Sequence, residues 1–329
     1  MTWNAGDMPI DAASIGQRIV VRYAVGGTGP SGGPAMSDVI GRVRAVDLSA
    51  VTLERRDGRT QVVALTDVVT WKPVPDRPLR RRRAADASAD ELTRITSLGW
   101  PAIESLALGD WELRTSRRFT GRANSVAVHG DPGVAFDVAL DRVVEFYASR
   151  EVPALAQVVV GSAAERDFIN AGWTPMAGYH GGAVVQVADL DPAYDADASA
   201  RIASTADDDW LANYGRVNDP AAARAVLEGP ATVGFVSIGS PAVAIGRVAV
   251  TGEWAGIACV EVAPDHRRQG LARRIVETAL AWAVERGADK AYLQTMRTNH
   301  AALALYEPYG FVDHHDYRYL EPGTTVSSQ

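Results

Sequence analysis

One cysteine, Cys259, stands in 329 residues, so an intramolecular disulfide framework is excluded, as is a cysteine-rich zinc site. Long apolar runs are missing too. One long uncharged stretch, 229–246, has about the minimum length of a membrane span. Gly234, Gly239, Ser240 and Pro241 interrupt it, so it reads as two strands and a turn. The segment Met1 to Asp7 has neither a basic nor an apolar region, and no secretory leader is expected there. A net positive charge is also lacking. The 33 Lys and Arg against 40 Asp and Glu leave −7, whereas a general nucleic-acid binder is usually basic. What remains is ordinary: 47% apolar and 22% charged residues place the chain among globular proteins and exclude wholesale disorder. The length points to two or three domains in a cytoplasmic protein.

The first 75 residues are rich in strand signals. Ile19–Tyr23, Val39–Val46, Ala50–Glu54 and Thr60–Leu65 read as strands, and Asp57-Gly58 as a hairpin turn. Short strands joined by tight turns suggest a small barrel, Tudor-like, over residues 1–75. The Gly-, Ser- and Pro-rich stretch Gly26–Gly33 reads as a loop within it. Residues 76–90 read as a linker. Pro73, Pro75 and Pro78 oppose regular structure there, and the run Arg80–Arg83 faces the acidic stretch Asp86–Glu91.

Beyond it, helices and strands alternate. Trp111–Arg114, Ala123–Val128, Leu155–Val160 and Val184–Val187 read as strands, with helices at Val138–Ser149 and Ala163–Ala171. The last third continues the order. Helices are expected at Asp208–Val217, Ala221–Leu227, Gly270–Arg286 and His300–Tyr309. Strands are expected at Thr232–Ile238, Ala242–Val250, Ala255–Val262, Ala291–Thr295 and Phe311–Leu320.

The segment Val260-Glu261-Val262-Ala263-Pro264-Asp265-His266-Arg267-Arg268-Gln269-Gly270-Leu271-Ala272 carries the strongest chemical signal. It reads as a strand, a tight loop and a helix start. Gly270 and Ala272 are small enough for a ligand to approach the backbone. The amides of Arg268 to Ala272 sit where helix N–H groups lack internal partners, which suits a pyrophosphate. Arg267, Arg268 and Arg273 add local positive charge to an acidic chain. About thirty residues later comes Asn299-His300-Ala301-Ala302-Leu303-Ala304-Leu305-Tyr306-Glu307-Pro308-Tyr309-Gly310-Phe311, where Asn299 suits a helix cap.

In order and spacing, the two segments resemble the pyrophosphate loop and the Asn…Tyr…Gly-Phe signature of the GNAT superfamily of acyl-CoA-dependent N-acetyltransferases. The resemblance implies an α/β (α+β) GNAT fold and acetyl-CoA as co-substrate, with no metal. It implies that Val260 and Val262 pair with the pantetheine arm. Arg268, Gln269, Gly270, Leu271 and Ala272 would hold the pyrophosphate, with Arg267 and Arg273 beside them. Asn299 would bond the pantetheine. Tyr306 would face the thioester sulfur as the general acid, which needs help from the site because a phenol near pKa 10 must protonate a thiolate near 8.5. Some members carry a glutamate where Leu293-Gln294-Thr295 lies here, and Gln294 cannot serve as base. Glu261, or Glu253, is the acidic candidate for base or ammonium anchor.

Residues 91–182 repeat the order of elements and resemble the degenerate first copy of a tandem GNAT protein, with 183–329 as the catalytic copy. Gly130-Asp131-Pro132-Gly133 stands in place of the phosphate loop, without arginines, and Phe168 in place of the tyrosine. Elsewhere His314-His315 with Asp313 and Asp316 suggests a metal, but adjacent strand residues point to opposite faces, so a strand edge is the simpler reading. Cys259 reads as core. His129 and His180 have no evident partner. Trp210, Tyr214, Trp254 and Trp282 read as core, with Trp254 near the cleft end of its strand. The expected reaction is acetyl transfer to a primary amine of a small molecule or peptide, by a protein that contacts neither membrane nor nucleic acid and for which a homodimer is allowed. A weakly active acetyl-CoA-binding regulatory module is one alternative. Acetylation of protein lysines or N-termini, guided by the barrel, is another.

Overall fold

A computed structural model describes residues 10–28, 33–55, 58–74, 82–176 and 181–323. The chain divides into two units, Met1–Arg81 and Arg82–Gln329. The first is an antiparallel sheet of β1 (Arg18–Thr28), β2 (Pro34–Val46), β3 (Ala50–Glu54), β4 (Thr60–Ala64) and β5 (Val68–Pro73), in the order β4-β3-β2-β1-β5. Alternate residues Ile19 and Val21, and Val51 and Leu53, are fully buried, as period-2 side chains on one face should be. Where β2 crosses β3, a Cβ on Gly41 would meet the Glu54 carbonyl oxygen at 2.8 Å, so only glycine fits. A 3₁₀ turn at Leu65–Asp67 carries the chain from β4 at one edge to β5 at the other. Four residues reach at most about 14 Å, whereas five flat strands would separate the edges by roughly 19 Å. The sheet is therefore curled, although among the described residues no ladder joins β4 to β5. The segment expected as a loop at Gly26–Gly33 is strand at its first end, since β1 runs to Thr28, whereas Gly33 is a bend just before β2 starts at Pro34. Pro73 ends β5 rather than beginning a linker, which an edge strand tolerates. Asp57, Pro75, Pro78, Arg80, Arg81 and His180 lie outside the described residues.

The second unit holds α1 (Ala89–Gly99), β6 (Glu104–Leu108), β7 (Trp111–Thr115), β8 (Val126–Ala127), α2 (Phe136–Ala148), β9 (Ala156–Val159), α3 (Ala163–Asn170), β10 (Trp173–Pro175) and β11 (Gly182–Asp189). It continues with β12 (Ala200–Ala203), α4 (Asp208–Tyr214), α5 (Pro220–Leu227), β13 (Val233–Gly239), β14 (Ala242–Thr251), β15 (Trp254–Val262), α6 (Leu271–Glu285), β16 (Lys290–Thr295), α7 (His300–Tyr306) and β17 (Val312–Pro322). One mixed sheet runs β12-β13-β14-β15-β16-β11-β17-β9-β8-β7-β6, with β10 on β17. Two pairs are parallel, β15 with β16 across α6 and β8 with β9 across α2. This repeat gives the unit two related halves. They interlock: β11, at the junction of the halves, lies between β16 and β17, and β17 also pairs with β9 and β10 of the first half.

Alternation along β14 separates the two faces. Ala244 and Val248 pack with α6 residues Ile275, Val276, Ala279 and Leu280. Ile245 packs on the other side with Trp210 and Leu211 of α4 and with Trp100. That second face also receives α1, whose Leu92 packs with Val185, Val187 and Tyr292.

Several elements differ from the sequence expectation for local reasons. α4 stops at Tyr214 because Gly215 turns left-handed (φ 67°). α7 gives way to a 3₁₀ turn at Glu307, where Pro308 has no N–H to donate. The strand expected over 123–128 shrinks to Val126–Ala127, since Asn124 holds a turn instead. Its Oδ1 accepts from the amides of Ser116 and Arg118, and its Nδ2 donates to the carbonyls of Phe119 and Thr120. His314 and His315 do not point apart. β17 bulges here, pairing Val185 with His315 but Gln186 with Asp313, and brings the two Nδ1 atoms to 2.8 Å. Asp313 and Asp316 instead bind Arg297, both at 2.8 Å. Arg82 pairs with Glu91 at 2.7 Å and Arg83 with Asp86 at 3.2 Å, so the described part of the arginine run is neutralised by the acidic stretch after it.

Candidate functional site

β15 and β16 pair only from Trp254–Lys290 to Ile257–Leu293. The reason is a bulge. Ile245 opposes Glu261 and Arg247 opposes Ala258, which leaves two residues of β15 facing Gly246. Cys259 takes a left-handed φ of 56° there, uncommon for a side chain other than glycine, Asn or Asp. The two parallel strands part beyond the bulge, and among the described residues no strand pairs with Val260 and Val262 on the edge of β15 that faces β16. An extended ligand could add to that edge by main-chain bonding.

The loop after β15 points into the same end. A 3₁₀ turn at Pro264–His266 is followed by Arg268 at φ 62° and Gly270 at φ 76°. Gly270 is the N-cap of α6 and provides no side-chain bond to the first-turn amides. By contrast Ser88, Ser162, Asp207, Asp219 and Asn299 each cap their helices. The uncapped amides of a fifteen-residue helix, beside left-handed turns, make a concavity for an anion. Arg268, Gln269, Gly270 and Arg273 are exposed, Ala272 is half-buried and Leu271 is core, so Leu271 offers only its amide. Arg267 turns back, donating from Nε to the Val262 carbonyl at 3.1 Å. Arg274 is held by Asp197, whose carboxyl is kept far below the usual range by hydrogen bonds from Arg274 and Ser199.

Tyr306 closes the gap from the α6 face. It is buried (6% exposed), with its ring 5.4 Å from Phe311 and edge-on. Burial pushes its phenol well above 10, and the Cys259 and Glu261 charges act in the same direction. Asn299 accepts from the Ala302 amide at 3.2 Å, as a cap should.

The opposite side of the gap holds the acidic candidate. Glu261 is one-third exposed and accepts from Arg216 Nη2 at 3.0 Å. Glu253 lies in the turn before β15, at the far end of the strand, and pairs with Lys290 at 2.8 Å. It is thus roughly 26 Å of extended strand from Val262 and outside the site. Trp254 shares that far end, 5.9 Å from the Lys290 ammonium, and not the cleft end as expected. Cys259 is not simple core. It shares a hydrogen bond with Tyr214, and burial pushes its thiol up to about 11. Sequence reading also missed Arg122 and Arg247. Arg122 donates to Gln294 Oε1 at 2.7 Å and stands 4.1 Å over Trp100. The only available signal was an arginine amid apolar residues in the expected strand of β14.

In the corresponding loop of the first half, ahead of α2 and its uncapped Ala135, two amides are taken by carboxylates. Asp110 Oδ2 accepts from the Asp131 amide at 2.9 Å, and Asp131 Oδ1 from the Gly133 amide at 2.6 Å. Phe168 is fully buried, 5.0 to 5.5 Å from Trp173, Phe136 and Trp111. Burial also lowers the pKa of His129, whose Nδ1 has no partner among the described residues. Among the described residues no helix is long and apolar enough to cross a membrane.

Relatives bear on this geometry. The chain is 35% identical over 77 residues to the uncharacterized N-acetyltransferase YobR of Bacillus subtilis, covering 23% of this chain and 31% of that one. It is 40% identical over 52 residues to the [ribosomal protein bS18]-alanine N-acetyltransferase of Escherichia coli, covering 16% and 35%. The chain thus spans about a third of the length of these relatives. A solved GCN5-related N-acetyltransferase from Kribbella flavida superimposes with a TM-score of 0.52 at 17% identity, over 73% of this chain and 98% of that one, which shows the shared fold. Residues 87–320 match the family described as probable histone acetyltransferase Rv0428c, C-terminal, and the chain belongs to this family of GNAT-fold proteins.

Proposed function

We propose that the chain is an acetyl-CoA-dependent N-acetyltransferase with one active site, in its second half. The observation that carries this reading is the parting of β15 from β16 at the Cys259 bulge, directly beside the uncapped start of α6. The unpaired edge at Val260 and Val262 takes the pantetheine. The amides of Arg268 to Ala272 take the pyrophosphate, with Arg268 and Arg273 nearby. Asn299 orders the start of α7 on the pantetheine side. The proposed division is a barrel at 1–75, a linker at 76–90, a degenerate copy at 91–182 and a catalytic copy at 183–329.

Glu261 holds the acceptor ammonium and accepts its proton, directly or through water. The freed amine attacks the thioester carbonyl carbon, and a main-chain N–H of β15 near Val262 stabilises the oxyanion. The carbon–sulfur bond then breaks as the Tyr306 hydroxyl gives its proton to the leaving thiolate. Burial keeps that phenol protonated at neutral pH. The same desolvation raises sulfur basicity in this gap, as the Cys259 thiol at about 11 illustrates. Phenol and thiolate are therefore both raised above their values in water.

The Arg216–Glu261 pair favours a second reading, an acetyl-CoA-binding module without turnover, because the candidate base is already engaged. Calorimetry with acetyl-CoA, followed by thiol release across a panel of amines, tests both. Binding with amine-dependent thiol release is expected. Binding without release from any amine would leave the module, and no binding would end both readings.

A further inference from the structure

Three arginines gather on the α1 and α4 face of the gap. Arg122 comes from the segment between β7 and β8, in the first half, and reaches Gln294 on β16 in the second. Arg247 on β14 lies 4.9 Å from the same Trp100 ring that Arg122 covers at 4.1 Å. Its Nε and Nη2 donate to the main-chain oxygens of Leu227 and Gly99, at 2.8 and 3.0 Å. Among the described residues neither Arg122 nor Arg247 has a carboxylate partner. The groups that act on both are Tyr214 and Cys259, with further phenols and, on Arg247, Arg122 itself. Arg216 is the exception, because Glu261 neutralises it.

Two guanidiniums without a counter-charge in a water-poor site leave a strong demand for an anion. Arg247 cannot supply the contact, being 1% exposed. Arg122 can, being only partly buried, and a guanidinium binds a carboxylate or phosphate through two parallel bonds. Its partner Gln294 directly follows Leu293, the last β16 residue paired with β15, and Glu261 directly follows the bulge on β15. A small molecule at the bulge therefore meets Glu261 on one side and Arg122 on the other.

Resting on the acetyltransferase reading, we infer that the acceptor is a small amine carrying an acidic group of its own, with Arg122 binding that group while Glu261 holds the amine. A polybasic protein tail would meet the repulsion of Arg122, which no carboxylate offsets among the described residues, and is disfavoured.

The test uses the full chain and acetyl-CoA, with thiol release as the readout. The acceptors are matched by size: glycine and aspartate against their amides, aminoethylphosphonate for a phosphate-like group, and agmatine and a lysine-rich peptide as basic amines. Acidic acceptors are expected to have at least tenfold higher kcat/KM than their amides, and the carboxylate and phosphonate arms show which anion is taken. Arg122→Gln should raise KM for acidic acceptors at least tenfold, remove the preference over amides and leave acetyl-CoA affinity unchanged, with Arg122→Lys partly restoring it. Should Arg122→Gln fail to fold, the preference of the unaltered protein decides. Equal or faster acetylation of amides or basic amines would overturn the inference, as would no acetylation of any acidic amine. These results with acetyl-CoA still bound would leave the donor reading intact, whereas loss of acetyl-CoA binding would remove that reading and this inference with it.

Discussion

Arg247 donates from Nη2 to the main-chain oxygen of Gly99, at the end of α1, 148 positions earlier in the chain. Arg114 on β7 does the like from the first half, donating to Ser97 Oγ at 2.8 Å. Each half thus fastens α1 through one buried arginine. Arg247→Ala would leave the carbonyls of Gly99 and Leu227 unpaired in the core. The expected loss is about 2–4 kcal/mol, read as a lower urea midpoint with an unchanged slope. A midpoint within error of the unaltered protein would show that water replaces the guanidinium at no cost.

Tyr306→Phe removes one hydroxyl and keeps the ring that packs on Phe311. Turnover should fall ~10²- to 10⁴-fold, the usual contribution of a general acid, while the dissociation constant for acetyl-CoA stays the same. Undiminished turnover would take Tyr306 out of the chemistry.

Gly270→Asp would place a carboxylate on the loop proposed to hold the pyrophosphate, at a left-handed φ of 76°. Acetyl-CoA affinity should weaken by tenfold or more, about 1.4 kcal/mol. Gly270→Ala measures the backbone strain alone, which is expected to cost about 1 kcal/mol of stability. Similar affinity loss in both variants would assign the effect to loop geometry rather than charge.

His315 gives a pH signature. Burial, then the neighbouring His314, lowers its pKa to about 4. The folded state keeps it neutral while the unfolded chain protonates it near 6.5. Between pH 6.5 and 4 the unfolded state therefore binds more protons, and stability declines as pH falls through that window, by up to about 3 kcal/mol. Below pH 4 this contribution levels off. His315→Gln should flatten the slope, measured as urea midpoints at pH 6.5, 5.5 and 4.5. An unaltered slope would place the titration on another group.

The order of helices and strands in the second half was legible because period-2 and period-3.6 patterns there coincide with burial. The loop and the Asn299-to-Phe311 signature were legible because a left-handed helix start at Gly270 and a side-chain cap at Asn299 demand particular residues in sequence. The acceptor side was not. Arg122 and Gln294 lie 172 positions apart and meet only because the two halves interlock. The bulges at Cys259 and His314 were hidden for a related reason. A single extra residue in a ladder changes which way side chains point without altering composition.

The placement of β11 between β16 and β17 governs how the protein can fold during synthesis. At 5–20 residues per second, the roughly 100 residues from β11 to β16 take about 5–20 s. For that time β11 waits with neither neighbour made, its apolar Val184, Val185 and Val187 without their final partners. β9 likewise lacks β17 on one side. The emerging first half is thus an unfinished sheet until the last strand leaves the ribosome. Slowing translation after Asp189 should increase the demand for chaperones, and speeding it should relieve that demand.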